Sequence, residues 1–496
     1  MGVLKFRLAA DDEMIRSPDL RRAFVTGLDR TPERVTVDVR DDLLTCHRES
    51  PESGRLSVPW SVDGFGRPIV ATATLAERPE PYVLPVELAR GKLNDVRNQA
   101  ADWTQMGLQS PPDLDRHLGD ARRAFARAAT SQADLAVASV QARDCLAASF
   151  RAGQVLTDAY IDQVLQRRLE MAPRLPTLLG CVLDGAPKQV PWTASILPAI
   201  NAARVRCSWG ELEPAEGQFR WEVPDAQLHW CRRRRLAASA GPLLEFRAGA
   251  LPDWLWLWEG DYEAISGMVS ELVRQAVGRY KGKVATWHVV SRPASSEVLG
   301  LSEDEQIRLT ARLLQVARQA DPDAHLVVDI DRPWAEWMGS SPFQLGPLHL
   351  ADSLARAELG LTGIGLEIAP GFSAPGSHLR DTFEFSRLLD LYALLNLPLY
   401  ITMAMPSAAA ADPMADKGVR VEVPQWPGSI DAESQRDWGA EWIALAAAKP
   451  FVRAVTWLQA TDAVPHLYPN AGLVRADGTP KPLLDWLRQF RERCLN

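Results

Sequence analysis

The chain has 496 residues, more than one ordinary domain of about 100–200 residues needs, although a barrel alone uses about 250. Hydrophobic residues at 46% and charged residues at 24% exclude large-scale disorder. A net charge of −8 excludes a global attraction to nucleic acid or to an anionic membrane, and no apolar run reaches the roughly 18–20 residues of a membrane helix.

The opening stretch, Met1 to Asp12, has too short an apolar core for a signal peptide. Phe6 stands where myristoylation requires Ser or Thr. The expected compartment is the cytoplasm. Cys46, Cys145, Cys181, Cys207, Cys231 and Cys494 are scattered without a Cys-x-x-Cys pair, so they read as reduced core thiols, with no zinc spacing and no cofactor motif.

Residues 1–82 read as a β-sandwich. Short apolar runs over Leu4–Leu8, Ala23–Leu28, Arg34–Arg40, Leu43–His47, Arg55–Trp60 and Pro68–Leu75 are separated by glycines and prolines. Trp60, Phe65 and Tyr82 are the candidates for an exposed aromatic platform of the carbohydrate-binding-module kind. Residues 83–172 switch to helical spacing over Val86–Val96, Leu118–Ala129 and Ala133–Leu169. Their charges read as solvated helix faces, with homo-oligomerisation through this segment as the sharper alternative.

From residue 173 to 496 strands alternate with helices, the pattern of a parallel sheet wrapped by helices. The candidate strands are Leu178–Leu183, Ala203–Cys207, Leu243–Phe246, Val284–Val290, His325–Ile330, Gly363–Ile368, Leu399–Ala404 and Val452–Leu458. Eight strands with intervening helices predict a C-terminal (β/α)8 TIM barrel.

Several motifs then carry a resemblance. Trp287-His288-Val289-Val290-Ser291-Arg292 ends the fourth candidate strand, and Leu399-Tyr400-Ile401-Thr402-Met403 the seventh. Trp209-Gly210-Glu211-Leu212-Glu213-Pro214 leads through Gly217-Gln218-Phe219 to Asp225; Pro252-Asp253-Trp254, Gly363-Ile364-Gly365-Leu366-Glu367, Trp457, Asp462 and Asp477 to Pro482 follow in order. Together they resemble the glycoside hydrolase family 10 xylanases, over roughly residues 175–494. The resemblance implies a barrel whose fourth strand ends in a general acid/base Glu and whose seventh carries a nucleophilic Glu. Here those positions hold Arg292 and Met403. Arg204, Val205, Ser208 and Ala369 likewise replace residues with which the family binds sugar.

A retaining glycosidase needs two carboxyl groups about 5–5.5 Å apart, and a guanidinium cannot act as the acid. The sequence therefore reads as a catalytically inactive xylanase-like barrel with a glycan-binding or assembly role. The alternative is an active endo-β-xylanase-like hydrolase using relocated carboxylates, Glu245 and Glu367 foremost, with Asp329, Asp331 and Asp462 also near strand ends. Pairing of these acids with Arg204, Arg247 and Arg292 is the simpler expectation, because an unpaired buried charge is costly. The candidate ligand-binding residues are Trp209, Arg204, His288, Arg292 and Trp457, with an oligo- or polysaccharide as the partner and the basic side chains favouring an acidic one. Trp254, Trp256 and Trp258 alternate along the chain, so an extended backbone would place them on one face.

Overall fold

The computed structural model describes residues 2–9, 12–28, 30–185 and 193–496. Eight short strands come first: β1 (Gly2–Arg7), β2 (Phe24–Thr26), β3 (Pro32–Glu33), β4 (Val35–Arg40), β5 (Leu43–Arg48), β6 (Arg55–Pro59), β7 (Ile69–Ala71) and β8 (Tyr82–Val83). They form two four-stranded sheets, ordered β4-β5-β1-β8 and β3-β2-β6-β7. Alternation along β1, buried at Gly2, Leu4 and Phe6, turns one side inward.

Helices α1 (Leu84–Gln105), α2 (Pro112–Thr130) and α3 (Leu135–Met171) follow. Leu4, Phe6, Val25, Leu56 and Val58 of the sheets share one buried cluster with Leu84, Leu88, Ala142 and Phe150 of the helices. Sheets and helices thus bury their apolar faces against each other. This corrects the expected aromatic platform. Trp60 is fully buried, Phe65 packs on Phe150 at 5.1 Å between ring centroids, and Tyr82 is half-buried between Phe6 and Arg78.

The barrel strands are β9 (Leu178–Val182), β10 (Ala202–Val205), β11 (Ala237–Ala240), β13 (Thr286–Ser291), β14 (His325–Asp331), β15 (Gly363–Ile368), β16 (Leu399–Met403) and β17 (Val452–Trp457), with a two-residue β12 (Leu244–Glu245) beside β13. All pair in parallel. The ring closes through β17 on β9 and through Ser239 and Ala240 of β11 on Thr286 and Trp287 of β13. The third strand therefore lies earlier than the expected Leu243–Phe246. Ala237–Ala240 was passed over because alanines carry little strand signal, whereas Leu243 to Phe246 is the more apolar run.

Around the ring lie α4 (Thr193–Ile196), α5 (Trp209–Leu212), α6 (Glu222–Arg234), α7 (Tyr262–Arg279), α8 (Glu303–Ala320), α9 (Pro347–Arg356), α10 (Thr382–Ala393), α11 (Ala432–Ala448) and α12 (Pro482–Cys494). Helix starts are written locally. Ser302 and Glu305 cap α8 reciprocally, as Asp431 and Ser434 cap α11. The N-terminal half is tied to the barrel by Ile69 N–H to Leu379 O at 3.0 Å, Arg67 N–H to Gln425 O at 2.8 Å and Lys92 to Asp381 at 2.6 Å. Helix α3 also packs on α10 and α11. All six cysteines are buried and unpaired. Among the described residues no helix is long and apolar enough to cross a membrane.

Residues 253–258 are not extended. They form a 3₁₀ turn in which Leu255 is buried, Leu257 exposed, and the Trp254 indole donates to Glu213 O at 2.8 Å. The three tryptophans consequently share no face.

Candidate functional site at the barrel mouth

A cavity of about 420 Å³ opens at the carboxyl ends of the strands, the end where barrel sites are built. Arg204 reaches it from β10, Glu245 from β12, Ser291 and Arg292 from the end of β13, Asp329 from β14, Glu367 from β15 and Thr402 from β16. Parallel register sets Asp329 beside Gly365 and Asp331 beside Glu367.

Arg292 is the centre of the site. A bulge between His288 and Val290 shifts the register of β13, and Arg292 itself adopts φ 62°, a left-handed conformation unfavourable to a residue with a Cβ. From there its Nη2 donates to Glu367 Oε1 at 2.5 Å, and its Nε lies 3.4 Å from Glu245 Oε1. The Tyr468 hydroxyl donates to the same Glu367 oxygen at 2.6 Å. Burial pushes the Glu367 carboxyl above the usual range, against the pull of Arg292 and Tyr468. Glu245 differs. Burial raises it too, but Arg247 and Arg292 outweigh that and hold it below the ordinary carboxylate value.

A second network fills the barrel just beneath. His288 Nδ1 lies 2.8 Å from Asp329 Oδ1, and Arg204 Nη1 3.9 Å from Asp329 Oδ2. Arg204 Nη2 also donates to Thr402 Oγ1 at 3.1 Å. Burial and the nearby Arg204 push the imidazole's pKa down, which favours its neutral form. Asp329 is held low by His288 and Arg204 despite burial, and as a carboxylate it accepts a hydrogen bond from Nδ1–H. Two glycines make room for this layer. A Cβ at Gly365 would come within 1.8 Å of Asp329 Oδ1, and one at Gly241 within 2.2 Å of the His288 carbonyl.

All five carboxylates lining the mouth have an arginine within reach. Besides the pairs above, Asp184 lies 3.7 Å from Arg206, Glu245 2.6 Å from Arg247, and Asp416 3.8 Å from Arg247. Asp331 and Asp462, just outside it, pair with Arg332 at 2.9 Å and Lys481 at 2.6 Å. Among the described residues, the five basic side chains of the lining, Lys417 included, equal its five carboxylates. Within that set the expected cationic patch is electrically balanced.

Several expected site residues do not reach the cavity. Trp209 and Trp457 are buried in the main core, their indoles donating to Glu213 Oε2 and to Ala471 O at 2.8 and 2.7 Å. His288 is buried against Asp329 rather than lining the mouth. Met403 lies in the main core, while its neighbour Thr402 faces the cavity, as alternation along a strand requires. No Trp, Tyr or Phe is among the described residues of the lining. Conversely, Asp184, Arg206, Asp416 and Tyr468 escaped the sequence reading. Asp184 directly follows an expected strand and was findable; Tyr468 lies in a loop after β17, and nothing local marks it. Burial pushes Asp184 up to about 6, against Arg206 and the Ala460 N–H.

Asp412, Asp462 and His466 bring ligand atoms within 4.8 Å of one another. Those atoms are already committed: His466 Nε2 lies 2.9 Å from Asp412, and Asp462 binds Lys481. These contacts tie His466 to Asp412, and Asp462 to Lys481.

A closed ring of eight parallel strands, with a charged cavity at their carboxyl ends, defines a protein of the TIM-barrel class. More particularly, its barrel is similar to the glycoside hydrolase family 10 barrels: residues 202–330 match the model of glycosyl hydrolase family 10. The chain is 25% identical over 219 residues to endo-1,4-beta-xylanase C of Phanerodontia chrysosporium, covering 42% of this chain and 52% of that protein. It is 28% identical over 167 residues to endo-1,4-beta-xylanase A of the same organism, covering 32% and 38%. The matched segment thus spans about half, or less, of these relatives. The fold is similar to that of native xylanase 10B from Thermotoga maritima, with TM-score 0.50 and 17% identity over 65% of this chain and 97% of that one.

Proposed function

We propose that this protein is a catalytically silent family 10-like barrel that holds a small polar ligand, of the size of a mono- or disaccharide, at its mouth without cleaving it. The observation carrying this reading is the single arginine that engages both Glu245 and Glu367. Retaining hydrolysis needs one carboxyl free to protonate the leaving oxygen and another free to attack. Arg292 occupies both. Residue 292 corresponds to the family's acid/base position, and the strand that would carry the nucleophile presents Thr402 to the cavity. The relatives' name, endo-1,4-beta-xylanase, makes a xylo-oligosaccharide the first ligand to try. With no aromatic side chain among the described residues of the lining, such binding would be weak and rest on hydrogen bonds. A cytoplasmic location fits six buried, unpaired thiols.

Two measurements test the reading: reducing-sugar release from xylan, and calorimetric titration with xylobiose and xylotriose. We expect no release, and weak binding that is lost on Ser208→Trp, which would fill the lining. Release above a buffer control would overturn the silent reading. Absence of binding would leave an assembly role.

A second reading, hydrolysis by a relocated acid, is favoured by Asp184 alone. It lines the cavity, and with its carboxyl pushed up to about 6 it keeps a proton at mildly acidic pH, where an ordinary aspartate has lost it. Xylan cleavage abolished by Asp184→Asn would establish it.

A further inference from the structure

A second cavity, of about 160 Å³, lies where the N-terminal sheets meet the flank of the barrel. Its body is apolar, with Phe24, Ile69, Val70, Trp334 and Leu388 on its walls. Charge is concentrated among the remaining groups. Five cations, Arg30, Arg55, Lys92, Arg380 and Arg387, line it against two carboxylates, Asp95 and Glu384.

Most of these cations are spoken for. Arg55 and Arg387 both bind Asp95, Arg387 at 2.9 Å. Arg387 also lies 3.1 Å from Glu384. Lys92 is held by Asp381 at 2.6 Å and Arg380 by Glu336 at 3.2 Å. Among the described residues, four carboxylates, Asp95, Glu384, Asp381 and Glu336, therefore answer five cations, which leaves one positive charge over in that set. The unanswered cation is Arg30: among the described residues its guanidinium has no ion-pair or hydrogen-bond partner. Arg55 supplies a second unspent donor, since its Nε is buried without a partner.

Arg30 stands at the rim, open to solvent on one side. Desolvation of its other side, then the like charges of Arg387 and Arg55, push its pKa down. Filling the pocket with a negative group would relieve that repulsion. Arg30 and Arg55 come from different elements, the loop after β2 and the strand β6. Donors converging from separate directions suit an oxyanion with acceptors in three dimensions better than a planar carboxylate.

We propose that this pocket binds a small organic phosphate or sulfate ester, its oxyanion on Arg30 and Arg55 Nε and its compact body against the apolar walls. The site is distinct from the barrel mouth. It draws on residues of both halves of the chain, so its occupant would clamp the sheets to the barrel.

The test uses the full chain with four probes: phenyl phosphate, phenyl sulfate, benzoate and phenol. Binding is read by calorimetry and by the shift in melting temperature at low and moderate salt. We expect at least one ester to bind and to raise the melting temperature, with benzoate and phenol weaker by about tenfold or more. Arg30→Asn, which suits the left-handed backbone at φ 65°, should weaken the ester about tenfold without changing the melting temperature of the free protein. Arg30→Lys should recover part of the loss, and Arg40→Gln, far out on β4, should cause none. Phosphate-only or sulfate-only binding identifies which ester the pocket takes. Binding of neither ester, binding that survives Arg30→Asn, or equal binding of benzoate or phenol would overturn the proposal.

Discussion

Arg292 Nη2 donates to Glu367 Oε1 at 2.5 Å, and both side chains are buried. Removing one partner leaves the other charged and unpaired in the interior. Arg292→Asn keeps a residue tolerant of the left-handed backbone, so its cost reports lost charge rather than strain. We expect a loss of about 3–5 kcal/mol in urea unfolding. Glu367→Gln should cost less in the Arg292→Asn background than in the parent, and a double-mutant cycle measures the difference. Equal cost in the two backgrounds would dissolve the pair.

Restoring the family's glutamates should not restore xylanase activity. Met403 lies in the main core, so Met403→Glu places a carboxyl among apolar side chains and should cost about 3 kcal/mol or more. Thr402→Glu instead meets Arg204 across the cavity and should be milder. Thermal melts separate the two, and a xylan assay should find no release from Arg292→Glu/Met403→Glu. A stable, active double variant would show that the register deduced for β16 is wrong.

Gly365→Ala should destabilise by about 1–3 kcal/mol, because its Cβ would lie 1.8 Å from Asp329 Oδ1 in a layer with little space to give. Displacing Asp329 also loosens His288, so the His288 ring resonances should shift in NMR spectra. A neutral substitution would mean that this layer yields easily.

Glu441 on α11 makes the fold pH-dependent. Burial, helped by the like charge of Asp158, pushes its carboxyl up to about 7, although the Thr382 hydroxyl and the Gln154 amide both donate to its Oε1 at 2.5 Å. A folded-state pKa above the unfolded value means the folded state holds the proton more tightly. Stability therefore falls as pH rises from about 4.5 to about 7, by about 3 kcal/mol at the plateau above. A Gln carbonyl can accept both hydrogen bonds without that charge. Glu441→Gln should then be the more stable protein at pH 8 and equal to the parent below pH 4.5, as denaturant titrations at the two pH values would show. A constant difference across pH would refute the assignment.

What the sequence determined by itself was the alternation of elements and the residue types at the strand ends, Arg292 and Met403 among them. Strands such as Val284–Val290 and His325–Ile330 are predominantly apolar runs because a parallel barrel strand is covered on both faces, and Ser302 with Glu305 marks a helix start within four residues. An arginine at the end of the fourth strand is legible at any distance from its fold. Tertiary structure decided which side chains meet. Ala237–Ala240 became a strand through neighbours on both sides rather than through its own propensity. Trp209 and Trp457, plausible sugar platforms by type, were drawn into the core, because burying an indole that still finds a carbonyl or carboxylate acceptor is favourable. Arg292, Glu367 and Tyr468 are separated by 75 and 101 positions along the chain, and only closure of the ring brings them within hydrogen-bonding distance. Charge type is a local property of the sequence, whereas the partner that neutralises a charge is set by packing, and in this barrel Arg292 lies against both Glu245 and Glu367.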